Sequence, residues 1–309
     1  MYKELDGYHA YYAYPDYQNP YEHLNILVQL ASALYWKKHF GKIHLVCNIA
    51  HLKNLQIYGV DKVYDSVDLD LLKDMDSFDI RYWSLAKIHL AGKLAETKNR
   101  FTILDTDLWL RGIPKQFDLS KDFIGLHRES FVVTDDNCAY PEPESFIGGE
   151  EALKYDWSTL PINTGVMYLN NPELVKEWYE FAKSVIERNR FSPHPKAKHA
   201  VETIFIEQRI LPTLATDRGY KVGTLIPSTY HTNLDNLPNT ETKDNWEPTF
   251  ASSPEMEDCF EKIKHVWGLK KQFGDSKVRV GLSTLVIRNL EQDGFDLSEY
   301  GMLLQDNVI

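Results

Sequence analysis

Through its first two thirds the chain alternates short runs of β-formers with apolar stripes at helical spacing, and few architectures accept that order. His9 to Tyr14 reads as a strand stopped by Pro15-Asp16. Leu24 to Phe40 carries Leu24, Leu27, Val28, Ala31, Leu34 and Tyr35 on one helical face and closes at Gly41. Lys42 to Asn48 reads as a second strand and Lys62 to Val67 as a third. Ile80 to Ala95 is helical, Phe101 to Leu110 a strand, and Asp122 to Leu126 a short strand after it. A polar segment runs from His127 to Leu160. Ile162 to Leu169 then reads as a strand, and Asn171 caps a helix with Pro172 in its first turn. His199 to Ala215 is helical, Tyr220 to Ile226 a strand, and residues 231 to 262 a second polar insertion. Strands alternating with helices predict an α/β fold, a mostly parallel sheet covered by helices on both faces. Ligands of such sheets bind beyond the carboxyl ends of the strands.

Phe101-Thr-Ile-Leu-Asp105-Thr-Asp107-Leu-Trp-Leu110 places two carboxylates at such an end. If the extended backbone persists, Asp105 and Asp107 point to the same face. Paired carboxylates there can hold a divalent cation, and the cation a diphosphate. Asp68-Leu-Asp70 and Asp74-Met-Asp76 share the spacing, but they lie in an acidic stretch with no buried-strand pattern before them.

The formal charge of −11, from 34 basic and 45 acidic residues, argues against a nucleic-acid or anionic-membrane surface. An anionic substrate would need its charge met locally. Cys47, Cys138 and Cys259 form neither a zinc pattern nor a disulfide framework. No apolar run approaches a membrane span, and Met1 to Gly7 lacks the apolar core of a signal peptide. A cytoplasmic protein without a transmembrane segment is the expectation.

Three further segments extend the diacid's chemistry. His265-Val-Trp-Gly268-Leu-Lys-Lys271 offers an imidazole for a metal, a glycine for close backbone approach and a lysine for phosphate. Pro161-Ile-Asn163-Thr-Gly165 leads into a strand with an amide and a glycine. Glu207-Gln208 lies mid-helix, its carboxylate and amide about 100° apart. Together these residues resemble the GT-A glycosyltransferases, nearest to the branch containing glycogenin and the bacterial lipopolysaccharide galactosyltransferases. There an apolar strand ends in Asp-x-Asp, then come an Asn-x-Gly strand, an Asp-Gln pair and His-x-x-Gly-x-x-Lys. That branch also has a basic residue in the helix before the diacid strand, a place that Lys87 fits. Glutamate stands here where the branch has aspartate before glutamine, and the two polar insertions have no counterpart.

The resemblance implies a GT-A-like, Rossmann-related catalytic domain over residues 1–275. Its nucleotide-sugar half would be about 1–115 and its acceptor half about 116–275, with 276–309 an acceptor-side extension packing on it. It implies a metal site at Asp105, Asp107 and His265, with the imidazole favouring Mn²⁺ over Mg²⁺. Lys87, Asp105, Asn163, Gly165, Gly268 and Lys271 would bind a nucleotide-sugar, UDP favoured over GDP. Glu207 or Gln208 would act catalytically on the face opposite the leaving group, with retention of configuration. The acceptor would be a glycan or another hydroxyl compound. An inverting enzyme would need a carboxylate base instead, for which Glu129, Asp135, Asp136 and Glu150 are candidates. The rival readings are a catalytically silent nucleotide-sugar or glycan-binding protein of the same fold and a Mg²⁺-dependent phosphatase.

Overall fold

The structure is a computed structural model that describes residues 2–13, 19–73, 85–129, 143–189, 204–227, 229–230, 254–266 and 275–307. In chain order its strands are β1 (Gly7–Tyr11), β2 (Ile43–Cys47), β3 (Ser66–Asp68), β4 (Phe101–Leu104), β5 (Leu108–Leu110), β6 (Phe123–Gly125), β7 (Arg128–Glu129), β8 (Val166–Leu169), β9 (Val222–Thr224), β10 (Thr229–Tyr230) and β11 (Ile263–His265). The helices used below are α1 (Glu22–His39), α2 (Ile49–Ile57), α3 (Leu85–Leu94), α4 (Glu144–Ile147), α5 (Gly149–Ala152) and α6 (Pro172–Asn189).

One mixed sheet runs in the order β3-β2-β1-β4-β8-β6-β9. β3, β2, β1 and β4 are mutually parallel, β8 is antiparallel to both its neighbours, and β6 and β9 are parallel. The strands are short, so two-faced burial rather than local propensity holds them. Phe101 and Ile103 of β4 join Met167 and Leu169 of β8 in a cluster with α3 and α6. Leu104, Val166 and Tyr168, one residue out of phase, join the cluster under α1. A fully buried side chain of this kind contributes about 1.5–3 kcal/mol. The chain winds from β1 out to β3, then crosses back to β4 on the other flank of β1. That reversal opens a crevice at the carboxyl ends of β1 and β4.

The structure corrects the sequence reading in several places. The strand expected from Phe101 to Leu110 breaks into β4 and β5, because Thr106 and Asp107 form a turn closed by the Leu108 amide on the Asp105 carbonyl (3.3 Å). Aspartate and threonine favour such turns. Beyond it β5 leaves the main sheet and pairs antiparallel with β11. The two aspartates therefore do not share a pleated face. The third strand begins at Ser66, after a 3-10 turn at Val60–Val63. The helix expected from His199 is described from Ile204 onward and contains a π-helical stretch, Phe205–Ile210, before Leu211–Asp217. α2 was not foreseen; Asn48 caps it by accepting the His51 amide. The second polar insertion ends in a helix, Pro254–Lys262, running directly into β11.

The helices Ser276–Gln292 and Gly301–Asn307 bury Leu282, Val286, Leu290 and Leu303 in the α1 cluster. Their polar ties include Asn307 on the His23 carbonyl and Tyr58 on Asp306. Among the described residues this extension thus sits against elements of residues 1–115, whereas the sequence reading had put it on the acceptor side. Asp293 is its main clasp. It accepts two bonds from Arg111 (2.9 and 3.2 Å) and one from the Tyr35 hydroxyl (2.6 Å). Burial would raise the pKa of Asp293, but these bonds outweigh burial and hold it below the ordinary 3.8. A carboxyl depressed in the folded state stabilises above its unfolded pKa and loses that contribution as the pH falls through its folded value. Asp293→Ala should cost about 1–3 kcal/mol at pH 7. Urea unfolding should show the gap from wild type shrinking as the pH drops below 3.8.

Candidate active site

Asp105, Asp107 and His265 converge beyond β4, and one ligand atom of each lies within 4.8 Å of the others. Two backbone constraints produce this. The Asp105 amide donates to the Gly165 carbonyl (2.8 Å), fixing the start of the turn against β8. The β5–β11 register sets His265 opposite Leu108, and the Val266 amide closes on the Asp107 carbonyl (3.1 Å). The imidazole Nε2 stands 3.7 Å from Asp107 Oδ1, and Asp107 is only 4% exposed. Two carboxylates and an imidazole make a donor set suited to a divalent cation. Ligands around such a cation stand roughly 3–4 Å apart for bonds near 2.1 Å, so small side-chain movements would complete the shell. The residues fit a metal.

Beside this triad a lysine is buried. Lys87 of α3, 4% exposed, donates to Asp105 Oδ1 (2.7 Å) and to the Thr164 carbonyl (3.2 Å), and it pairs with Glu207 Oε1. Three N–H donors thus meet three acceptors. Burial pulls the pKa of Lys87 down, but Asp105 and Glu207 outweigh it and the net shift is upward, so the ammonium stays charged. Glu207, 1% exposed, is raised chiefly by burial, with Lys87 opposing. Its Oε1 also accepts the Thr164 hydroxyl (2.5 Å), while Oε2 is buried without a hydrogen bond among the described residues. As a plain surface lysine and an ordinary helix face, these two residues would have stood in water. Neither does.

Asn163 has both ends of its amide engaged within the protein. Its Oδ1 accepts the Gly165 amide (2.9 Å) and its Nδ2 donates to Glu129 Oε1 (3.0 Å). Gly165 packs tightly beside the imidazole: a Cβ there would press on Asn163 Oδ1 and Leu108 Cδ1, both at 3.2 Å, and touch His265 Cε1 at 3.4 Å. Gln208 follows Glu207 on the π-helical stretch, and its carbonyl accepts the Ile162 amide (2.9 Å). Gly268 and Lys271 lie outside the described residues, as do Asp135 and Asp136. Of the alternative bases, Glu129 is buried beside Asn163 and His127, whereas Glu150 is exposed. Sequence reasoning missed Thr164, the middle residue of Asn-x-Gly, because a hydroxyl between an asparagine and a glycine reads as turn chemistry.

No family model matches the chain, and no curated protein matches it. Solved structures do. The chain is similar to the galactosyltransferase LgtC in complex with donor and acceptor sugar analogs, at 14% identity over 85% of this chain and 87% of that one, TM-score 0.43. It is also similar to the bifunctional glycosyltransferase WbbM, at 10% identity over 86% of this chain and 46% of that one, TM-score 0.47. Mouse xyloside xylosyltransferase 1 matches at 12% identity over 72% and 85%, TM-score 0.38. Among the described residues no helix is long and apolar enough to cross a membrane.

Removing the ammonium would leave two carboxylates facing each other in a buried space. Lys87→Met should therefore cost about 3–5 kcal/mol of stability at neutral pH. Adding Glu207→Gln should restore about 1 kcal/mol or more of that loss, because the remaining buried group is then neutral. Urea unfolding of the single and double variants is the measurement.

Proposed function

We propose that this protein is a divalent-metal-dependent glycosyltransferase that moves a sugar from a nucleoside-diphosphate donor to a glycan or another hydroxyl acceptor. The observation that carries this reading is the delivery of His265, by the β5–β11 pairing, to a diacid turn in the crevice between β1 and β4. Asp105, Asp107 and His265 would hold the cation, and their mixed oxygen and nitrogen donors favour Mn²⁺ over Mg²⁺. When bound, it supplies counter-charge to the donor's diphosphate as the glycosidic bond breaks.

The chain's own groups do the rest. Lys87 adds a fixed positive charge beside Asp105 and pairs with the buried Glu207. Lys271 is assigned to the departing diphosphate and Gly268 to the backbone's close approach to it. Gly165 keeps the His265 ring seated, and Asn163 braces that seat. Glycosyl transfer passes through an oxocarbenium-like transition state, which a carboxylate stabilises. Glu207, with an unbonded oxygen, is the better candidate for that role than Gln208. A carboxylate facing the sugar opposite the leaving group agrees with a retaining outcome. A uridine donor is favoured over guanosine.

A panel of UDP- and GDP-sugars, with Mn²⁺ or with chelator, tests the proposal. One donor should raise the melting temperature only with metal, and nucleoside diphosphate should accumulate with time. Asp105→Asn and Asp107→Asn should each cut that release several-hundred-fold or more, about 3–4 kcal/mol. Binding without turnover would mark a silent binding protein, and release of phosphate from simple phosphoesters would mark a phosphatase.

A further inference from the structure

Thr164 touches both halves of the buried ion pair. Its carbonyl accepts Lys87 Nζ, and its hydroxyl donates to Glu207 Oε1. A threonine that served only to turn the chain would satisfy its hydroxyl on nearby backbone. This one is fully buried and reaches across to the π-helical stretch Phe205–Ile210. Glu207 would otherwise be anchored through Lys87 alone, and Lys87 also serves Asp105. A glutamate with three side-chain torsions could then present either oxygen to the ammonium. The branched threonine has a stiff χ1, so its hydroxyl sits at a defined point. With Oε1 claimed twice, Oε2 is the oxygen left without a bond among the described residues. A buried acceptor left unpaired is unfavourable, and a ligand group or a water can complete it.

We propose that Thr164 is a positioning residue. Its hydroxyl holds Oε1 of the Glu207 carboxylate and so fixes the orientation in which that group acts on the donor sugar. This rests on the glycosyltransferase reading above, so the wild-type protein is measured first with the metal and the donor that stabilises it. Thr164→Val keeps the shape and removes the donor group, and Thr164→Ser keeps the donor group. The expected result is a fall in kcat of about 10- to 50-fold for Thr164→Val, the loss of one hydrogen bond to a charged group. Donor KM and Mn²⁺ affinity should change less than about twofold, and Thr164→Ser should stay within about threefold of wild type. In a Glu207→Gln background, Thr164→Val should cost almost nothing more, because its effect passes through that carboxylate.

Retention of kcat in Thr164→Val, or an undiminished loss in the Glu207→Gln background, would overturn the assignment while leaving the transferase reading intact. A wild-type protein that releases no nucleoside diphosphate from any donor would sink both. Should Thr164→Val not fold, Thr164→Ala removes the same hydroxyl and is read against the same outcomes.

Discussion

A lysine ammonium taken out of water must satisfy three N–H groups and face opposite charge, and Lys87 does both by drawing three other parts of the chain to itself. It comes from α3, and its partners are Asp105 at the end of β4, the loop before β8 and the π-helical stretch Phe205–Ile210. Desolvating such charges costs several kcal/mol per ion unless the geometry compensates. Loosening any of the three partners would leave the ammonium short of an acceptor, so the arrangement favours one geometry of the crevice. The same cluster sets the Asp105 and Glu207 carboxylates against one ammonium, with Asp107 grouped beside Asp105 and His265.

The floor beneath the diacid turn is also polar and closed. The Ser32 hydroxyl donates to the Leu108 carbonyl (2.6 Å), and His9 bridges Ser32 and the Tyr64 hydroxyl at 3.0 and 2.8 Å. Gln29 donates to the same tyrosine and contacts His51. Burial above all pushes His9 down to about 3, so its imidazole stays neutral at any working pH. The floor therefore keeps its hydrogen bonds around a neutral imidazole.

Much of this was legible in the letters. The alternating pattern implied the sheet and its crevice, and Phe101 to Leu104 was recognisable as the strand that ends there. The motif spacing brought His265 into consideration with the two aspartates, although nothing local marks that histidine. What misled was periodicity carried too far. Asp105 and Asp107 were expected to align on a strand, yet they converge through a turn, because β5 is captured by β11 and leaves the sheet. Lys87, by composition a surface residue, is buried because two carboxylates from distant segments wait for it. Thr164 was invisible for the same reason: its partner, Glu207, belongs to an element that follows the whole of α6.

The sequence by itself determined the α/β class, the strand that ends at the diacid turn and the residue types gathered there. Those follow from hydrophobic period and side-chain chemistry, which are properties of neighbouring letters. Tertiary structure alone decided which carboxylates share the ammonium, which oxygen of Glu207 is left open and how the two aspartates meet. These depend on pairing register and burial between segments far apart in the chain. A desolvated charge has no defined energy until its neighbours are in place.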